Sequence, residues 1–66
     1  MTTTYEIDDA TFVHLSDWCE RNTRDADEAN AVSCKIIAYL ESLPIEDAEY
    51  SLSHGWTHVR DLAEGV

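Results

Sequence analysis

Apolar residues recur at intervals of three and four along most of this chain, the period of an α-helix rather than of a strand. The longest such run lies in Asp25 to Leu43, where Ala29, Val32, Ile36, Tyr39, Leu40 and Leu43 form one stripe at about 3.6 residues per turn. This run carries its own boundaries. Asp25 followed by Glu28 has the spacing of a capping box, in which each side chain satisfies a backbone N–H left unpaired at a helix start, and Pro44 opposes continuation at the other end. A helix over 25–43 is therefore expected, and the rest of the chain must cover its stripe.

Upstream, Thr3, Tyr5 and Ile7 alternate as in a strand but have no evident partner, so residues 1–7 are expected to be extended. Asp8 suits an N-cap, and Ile7 and Phe12 sit at the two positions of a hydrophobic staple. These signals predict a helix over 9–22. Its inner face carries Phe12, Leu15 and Cys19 with Trp18 at the edge, and its outer face Asp9, Asp17, Glu20 and Val13. Asp17 with Arg21 and Glu20 with Arg24 are acid-before-base pairs four residues apart, each contributing only a few tenths of a kcal/mol.

After Pro44 two patterns compete. A hairpin turning at His54-Gly55 would pair Tyr50 with Val59, Leu52 with Thr57 and Glu49 with Arg60, giving an α+β fold with strands near residues 48–61. The helical pattern is longer: Ile45, Ala48, Leu52, Trp56, Val59, Leu62, Ala63 and Val66 share one stripe, Pro44 suits the first turn and Gly65 the C-cap. The helix is favoured. Gly55 inside it costs about 1 kcal/mol relative to Ala, so a break there would leave two short helices. The expected architecture is one all-α domain over 1–66, a small three-helix bundle with helices near 9–22, 25–43 and 45–64.

Charge changes the picture most. Fourteen Asp and Glu face four basic residues, Arg21, Arg24, Lys35 and Arg60, for a formal net charge of −10. A domain of this size buries only about 60% of the surface its unfolded chain exposes, so self-repulsion weighs against a thin margin. The same sign argues against nucleic acid or an anionic membrane as a direct partner. The opening MTTTYEIDD lacks the basic and apolar regions of a secretory signal, and no apolar run approaches the ~20 residues that span a bilayer, so a cytoplasmic location is expected. Cys19 and Cys34 would differ in height by about 9 Å in an antiparallel hairpin of the first two helices, beyond the reach of a disulfide, and are expected to be reduced thiols.

No catalytic or nucleotide-binding motif is present, and neither an enzyme nor a cofactor is expected. Cys19, Cys34, His54 and His58 follow the residue order of a zinc finger, but its cysteines lie two to four residues apart and these are on different expected helices. Gly55 stands where a zinc protease would carry its glutamate. No metal site is expected. Ala31, Cys34 and Ala38 form a face of small residues on the second helix, which permits close approach of another helix, including that of a homodimer partner.

The acidic residues form rows. Asp17, Glu20, Asp25, Asp27 and Glu28 surround the first turn of the bundle, and Glu46, Asp47 and Glu49 open the third helix with Glu41 nearby. Tyr50 is an aromatic ring placed as an interface anchor among Glu46, Asp47 and His54. Asp61 and Glu64 are expected to return toward the first cluster. Carboxylates three and four apart on a helix have Cβ atoms about 5–6 Å apart, so such rows can engage basic residues that otherwise grip phosphates. In size, acidity and lack of a catalytic motif the chain resembles the small phage and mobile-element proteins that block bacterial defence, the anti-CRISPR and DNA-mimic inhibitors. That resemblance implies a stoichiometric inhibitor in the bacterial cytoplasm, bound to a basic nucleic-acid-binding protein such as a CRISPR effector subunit. An alternative is an acidic housekeeping or adaptor protein of a salt-loving organism, its charge serving only hydration.

Overall fold

Four helices follow one another in the computed structural model, which describes residues 3–65: α1 Asp9–Asn22, α2 Ala26–Glu41, α3 Ile45–Ser53 and α4 Trp56–Glu64. Each of the first two begins at an aspartate. The Asp8 carboxylate accepts from the Thr11 N–H and the Asp25 carboxylate from the Glu28 N–H, both at 2.7 Å, satisfying donors that a helix start leaves free. Only this forward arm of the expected capping box forms among the described residues. Thr23 leaves the helical conformation at the end of α1, and its hydroxyl donates to the Cys19 carbonyl as the chain turns into α2.

The β-prone N-terminal stretch finds its partner in the α2–α3 connection. The Tyr5 N–H donates to the Leu43 carbonyl at 2.9 Å, the Ile45 N–H donates to the Thr3 carbonyl at 3.0 Å, and Thr4 faces Pro44 in an antiparallel bridge. Residues 3–7 are thus extended as expected; residues 1 and 2 of that stretch, and Val66 of the C-terminal stripe, lie outside the described residues.

Two of the C-terminal expectations need correction. The hairpin near residues 48–61 does not form: both of its arms are helical. The three-helix bundle becomes a four-helix one, because the expected helix 45–64 breaks at Gly55, which takes φ +95°. His54 and Gly55 close α3 with tight bonds to the Ser51 and Leu52 carbonyls, and the Gly55 carbonyl then accepts from the Val59 N–H at 3.2 Å to start α4. The physical reason lies in the core. In one continuous helix Ala48 and Val59 would stand about 16 Å apart along the axis. With the break, both are fully buried in a single cluster with Leu15 and Cys19 of α1 and Val32, Ile36 and Leu40 of α2. His54-Gly55 is a turn, but one between helices.

α2 is the central element, packed on α1 and on α4, while α3 packs on α4. Its stripe is used as expected, with Val32, Ile36 and Leu40 buried and Ala29, Tyr39 and Leu43 half-buried around them. Ile37 also packs on the core, whereas Ala31, Cys34 and Ala38 stay exposed. Phe12 departs from expectation. It is 46% exposed, at the rim of a shallow groove whose floor includes Ser16, Cys19, Ala29 and Ser33. The body measures 40 × 25 × 18 Å, an elongated shape for its length.

Candidate functional site

All fourteen carboxylate side chains are exposed, which is the feature that defines the surface. Among the described residues two of them lie in ion pairs: Asp17 with Arg21 at 3.0 Å and Glu64 with Arg60 at 3.9 Å. The expected pair of Glu20 with Arg24 does not form. Arg24 lies beyond the last residue of α1, where the chain has left helical geometry and the i,i+4 spacing no longer brings the side chains together.

Topology sorts the acids into two ends. Where α1 gives way to α2, Glu20, Asp25, Asp27 and Glu28 gather, with Asp17 one turn further into α1 and already paired; Glu20, Arg24 and Asp25 flank a shallow depression floored by Ala26 and Ala29. The opposite end holds Glu41 at the close of α2 and Glu46 and Asp47 in the first turn of α3, with Glu49 following. Because the N-terminal segment is hydrogen-bonded to Leu43 and Ile45, Glu6, Asp8 and Asp9 are brought to this second end as well. Sequence reasoning left those three out of the site. The antiparallel order of α1 and α2 was signal enough to add Asp8 and Asp9; the pairing that adds Glu6 was not readable.

Asp61 and Glu64 do not return to the first cluster. The break at Gly55 reverses the chain, so that Ala63 and Glu64 lie beside Lys35, Ala38, Tyr39 and Ser42 on the last turns of α2, around an open groove of about 380 Å³. Asp61 is one turn earlier on α4. The second end is therefore richer in charge than a single long helix would have made it.

Arg60 takes a different role from the other cations. Its guanidinium lies 5.8 Å over the Trp18 ring, and its Nε, 3.9 Å from the Glu64 carboxylate, is enclosed with no hydrogen-bond partner among the described residues. Beside it, burial pushes the Cys19 thiol up, an effect the Arg60 charge partly offsets. Both cysteines are free, Cys19 buried and Cys34 exposed. At the start of α1, hydrogen bonds from Thr11 hold the Asp8 carboxyl below the usual range.

Tyr50 stands 67% exposed on α3, and its ring meets His54 edge-on at 4.6 Å. His54 in turn lies 4.9 Å from His58, giving an aromatic row that crosses the α3–α4 joint. Among the described residues no group of three or more His, Cys, Asp or Glu could hold a metal ion, and no helix is long and apolar enough to cross a membrane.

Electrostatics sets the scale of what such a surface can do. A 40 Å length of duplex DNA carries about 24 phosphate charges at one per ~1.7 Å. The twelve carboxylates outside the ion pairs, over the same length, reach about half that density. No protein-family model, curated protein or solved structure matches this chain.

Proposed function

We propose that this protein is a non-enzymatic inhibitor that binds the basic nucleic-acid-binding surface of a bacterial defence protein, a CRISPR effector subunit or similar, and blocks DNA binding by acidic mimicry. One observation carries the reading: every carboxylate is exposed and, among the described residues, two of the fourteen are ion-paired, along a helical body 40 Å long. Charges left uncompensated in this way oppose folding, and a basic groove is the partner that would turn that repulsion into binding energy. Asp17, Glu20, Asp25, Asp27 and Glu28 contact the partner at one end, and Glu46, Asp47, Glu49, Asp61 and Glu64 at the other, with Tyr50 as the aromatic anchor. The site of action is the cytoplasm of the bacterial cell.

The test is capture of partners from a bacterial lysate at 0.1 M and at 1 M salt, where the screening length falls from about 10 Å to about 3 Å. A basic DNA-binding protein retained at low salt and displaced by added DNA supports mimicry. Retention unchanged at 1 M salt and indifferent to DNA overturns it. A second reading, hydration of a protein from a salt-loving organism, is favoured by one observation, the spread of carboxylates over all four helices and the N-terminal segment. That reading predicts no such partner and a melting temperature that rises steeply with salt.

A further inference from the structure

The row Tyr50, His54, His58 takes no part in the acidic mimicry except through Tyr50, and its two histidines have a geometry of their own. They are four positions apart, yet not on one helix: His54 is the C-cap of α3 and His58 lies in the first turn of α4, with Gly55 between them. The positive φ of Gly55 folds the joint so that the two exposed rings come to 4.9 Å between centroids, inclined at 43°. We propose that His54 and His58 chelate a divalent transition metal of the Zn²⁺, Ni²⁺ and Cu²⁺ class across the α3–α4 joint.

The distance supports this. A metal about 2.0–2.1 Å from each imidazole nitrogen stands about 3.2 Å from each ring centre, so ligand angles of roughly 90–109° place the centres about 4.5–5.2 Å apart. The observed separation falls inside that range. Both rings are exposed, so either can rotate to present a nitrogen without disturbing the core. Neutral imidazole suits borderline metals, whereas the surrounding carboxylates favour hard cations such as Mg²⁺. The net charge of −10 raises the local concentration of any cation. The expectation of no metal rested on the remoteness of Cys19 and Cys34 and on Gly55 standing where a zinc protease carries its glutamate; a two-histidine site needs neither. Because no third protein ligand joins the histidines among the described residues, water fills the remaining positions and selectivity follows intrinsic metal affinity, Cu²⁺ above Ni²⁺ and Zn²⁺. Bound metal would clamp α3 to α4 at the one place where the chain departs from helix between them.

The experiment is titration of the full chain with ZnCl₂, NiCl₂ and CuCl₂ near neutral pH, following heat release for all three and imidazole NMR signals for Zn²⁺. His14, exposed on α1 and outside this row, is an internal control, and MgCl₂ controls for the carboxylates. Expected are one metal per chain, the order Cu²⁺ above Ni²⁺ and Zn²⁺, shifts at His54 and His58 but not His14, and about tenfold or greater loss of affinity in His54→Gln and in His58→Gln. Both variants should keep the helical circular dichroism of the parent, since neither side chain is buried. Equal affinity in parent and variants, or His14 shifting with the same midpoint, overturns the site.

Discussion

Arg60 of the last helix lays its guanidinium over the ring of Trp18 on the first, 5.8 Å from the ring centre, and so joins two elements that are remote in sequence. The Arg60 side chain is one-third exposed, and among the described residues its partners are the Trp18 ring face and, at 3.9 Å from its Nε, the Glu64 carboxylate. Arg60→Ala should lower stability by about 1 kcal/mol through loss of the cation–π contact and of the packing of its methylene stem. Arg60→Lys should recover part of that, since a lysine can approach the ring but covers less of it. Urea denaturation of the three proteins checks the order; identical midpoints would show the contact to be without weight.

Gly55 needs its backbone freedom rather than its small size. A Cβ there would meet nothing within 4 Å, while φ +95° is a conformation that L-residues rarely adopt. With ψ at 164°, Gly55 occupies an extended positive-φ region that is essentially glycine's alone, so Gly55→Ala should cost about 1–3 kcal/mol, and D-alanine introduced by chemical synthesis should cost little. Equal destabilisation by both enantiomers in thermal melts would mean that space, not conformation, decides.

The two acidic ends can be probed without unfolding the protein only if the cap is respected. Asp25 holds the first turn of α2, and its replacement by a non-capping residue costs about 1 kcal/mol. Asp25→Asn keeps the acceptor while removing the charge. The combination Asp25→Asn, Asp27→Lys, Glu28→Lys, and separately Glu46→Lys, Asp47→Lys, Glu49→Lys, should each weaken partner capture by at least about tenfold at 0.1 M salt, with circular dichroism unchanged. Full inhibition by both variants would rule out mimicry.

Asp8 makes the start of α1 sensitive to acid. Hydrogen bonds from Thr11 lower its folded pKa below the ordinary 3.8, so its contribution is complete above that pH and is lost as pH falls through the folded value. Asp8→Asn retains a capping oxygen that does not titrate. Melting temperatures measured from pH 6 to pH 2 should show the parent losing stability relative to this variant only below about pH 3.8. Parallel curves throughout would show that the carboxylate is not what titrates.

How much of this was legible in the sequence depends on whether the signal is local. Asp8 and Asp25 announce their caps, and the stripe from Val32 to Leu40 announces the core of α2, because each acts within one or two turns of its own helix. The break at Gly55 was legible as an alternative to the favoured single helix, but what decides for it was not: the shared burial of Ala48 and Val59 makes two short helices better than one. The partner of Tyr5 was not legible at all. Leu43, Pro44 and Ile45 read as a helix end, and nothing in their side chains announces the backbone groups that accept and donate to Thr3 and Tyr5. The charge was plain from composition, yet its arrangement was misread wherever it depended on chain direction, as at Asp61 and Glu64.

The Thr4–Pro44 bridge also sets an order on assembly. Closing a loop of about forty residues costs roughly 3 kcal/mol of chain entropy, repaid here by two backbone hydrogen bonds and the burial of parts of Tyr5 and Ile7. The α1–α2 hairpin has no such toll, since its partners are near in sequence. During synthesis the Thr3–Tyr5 segment must therefore wait for Ile45, so the acids that it carries to the second end are placed only after α1 and α2 have been made.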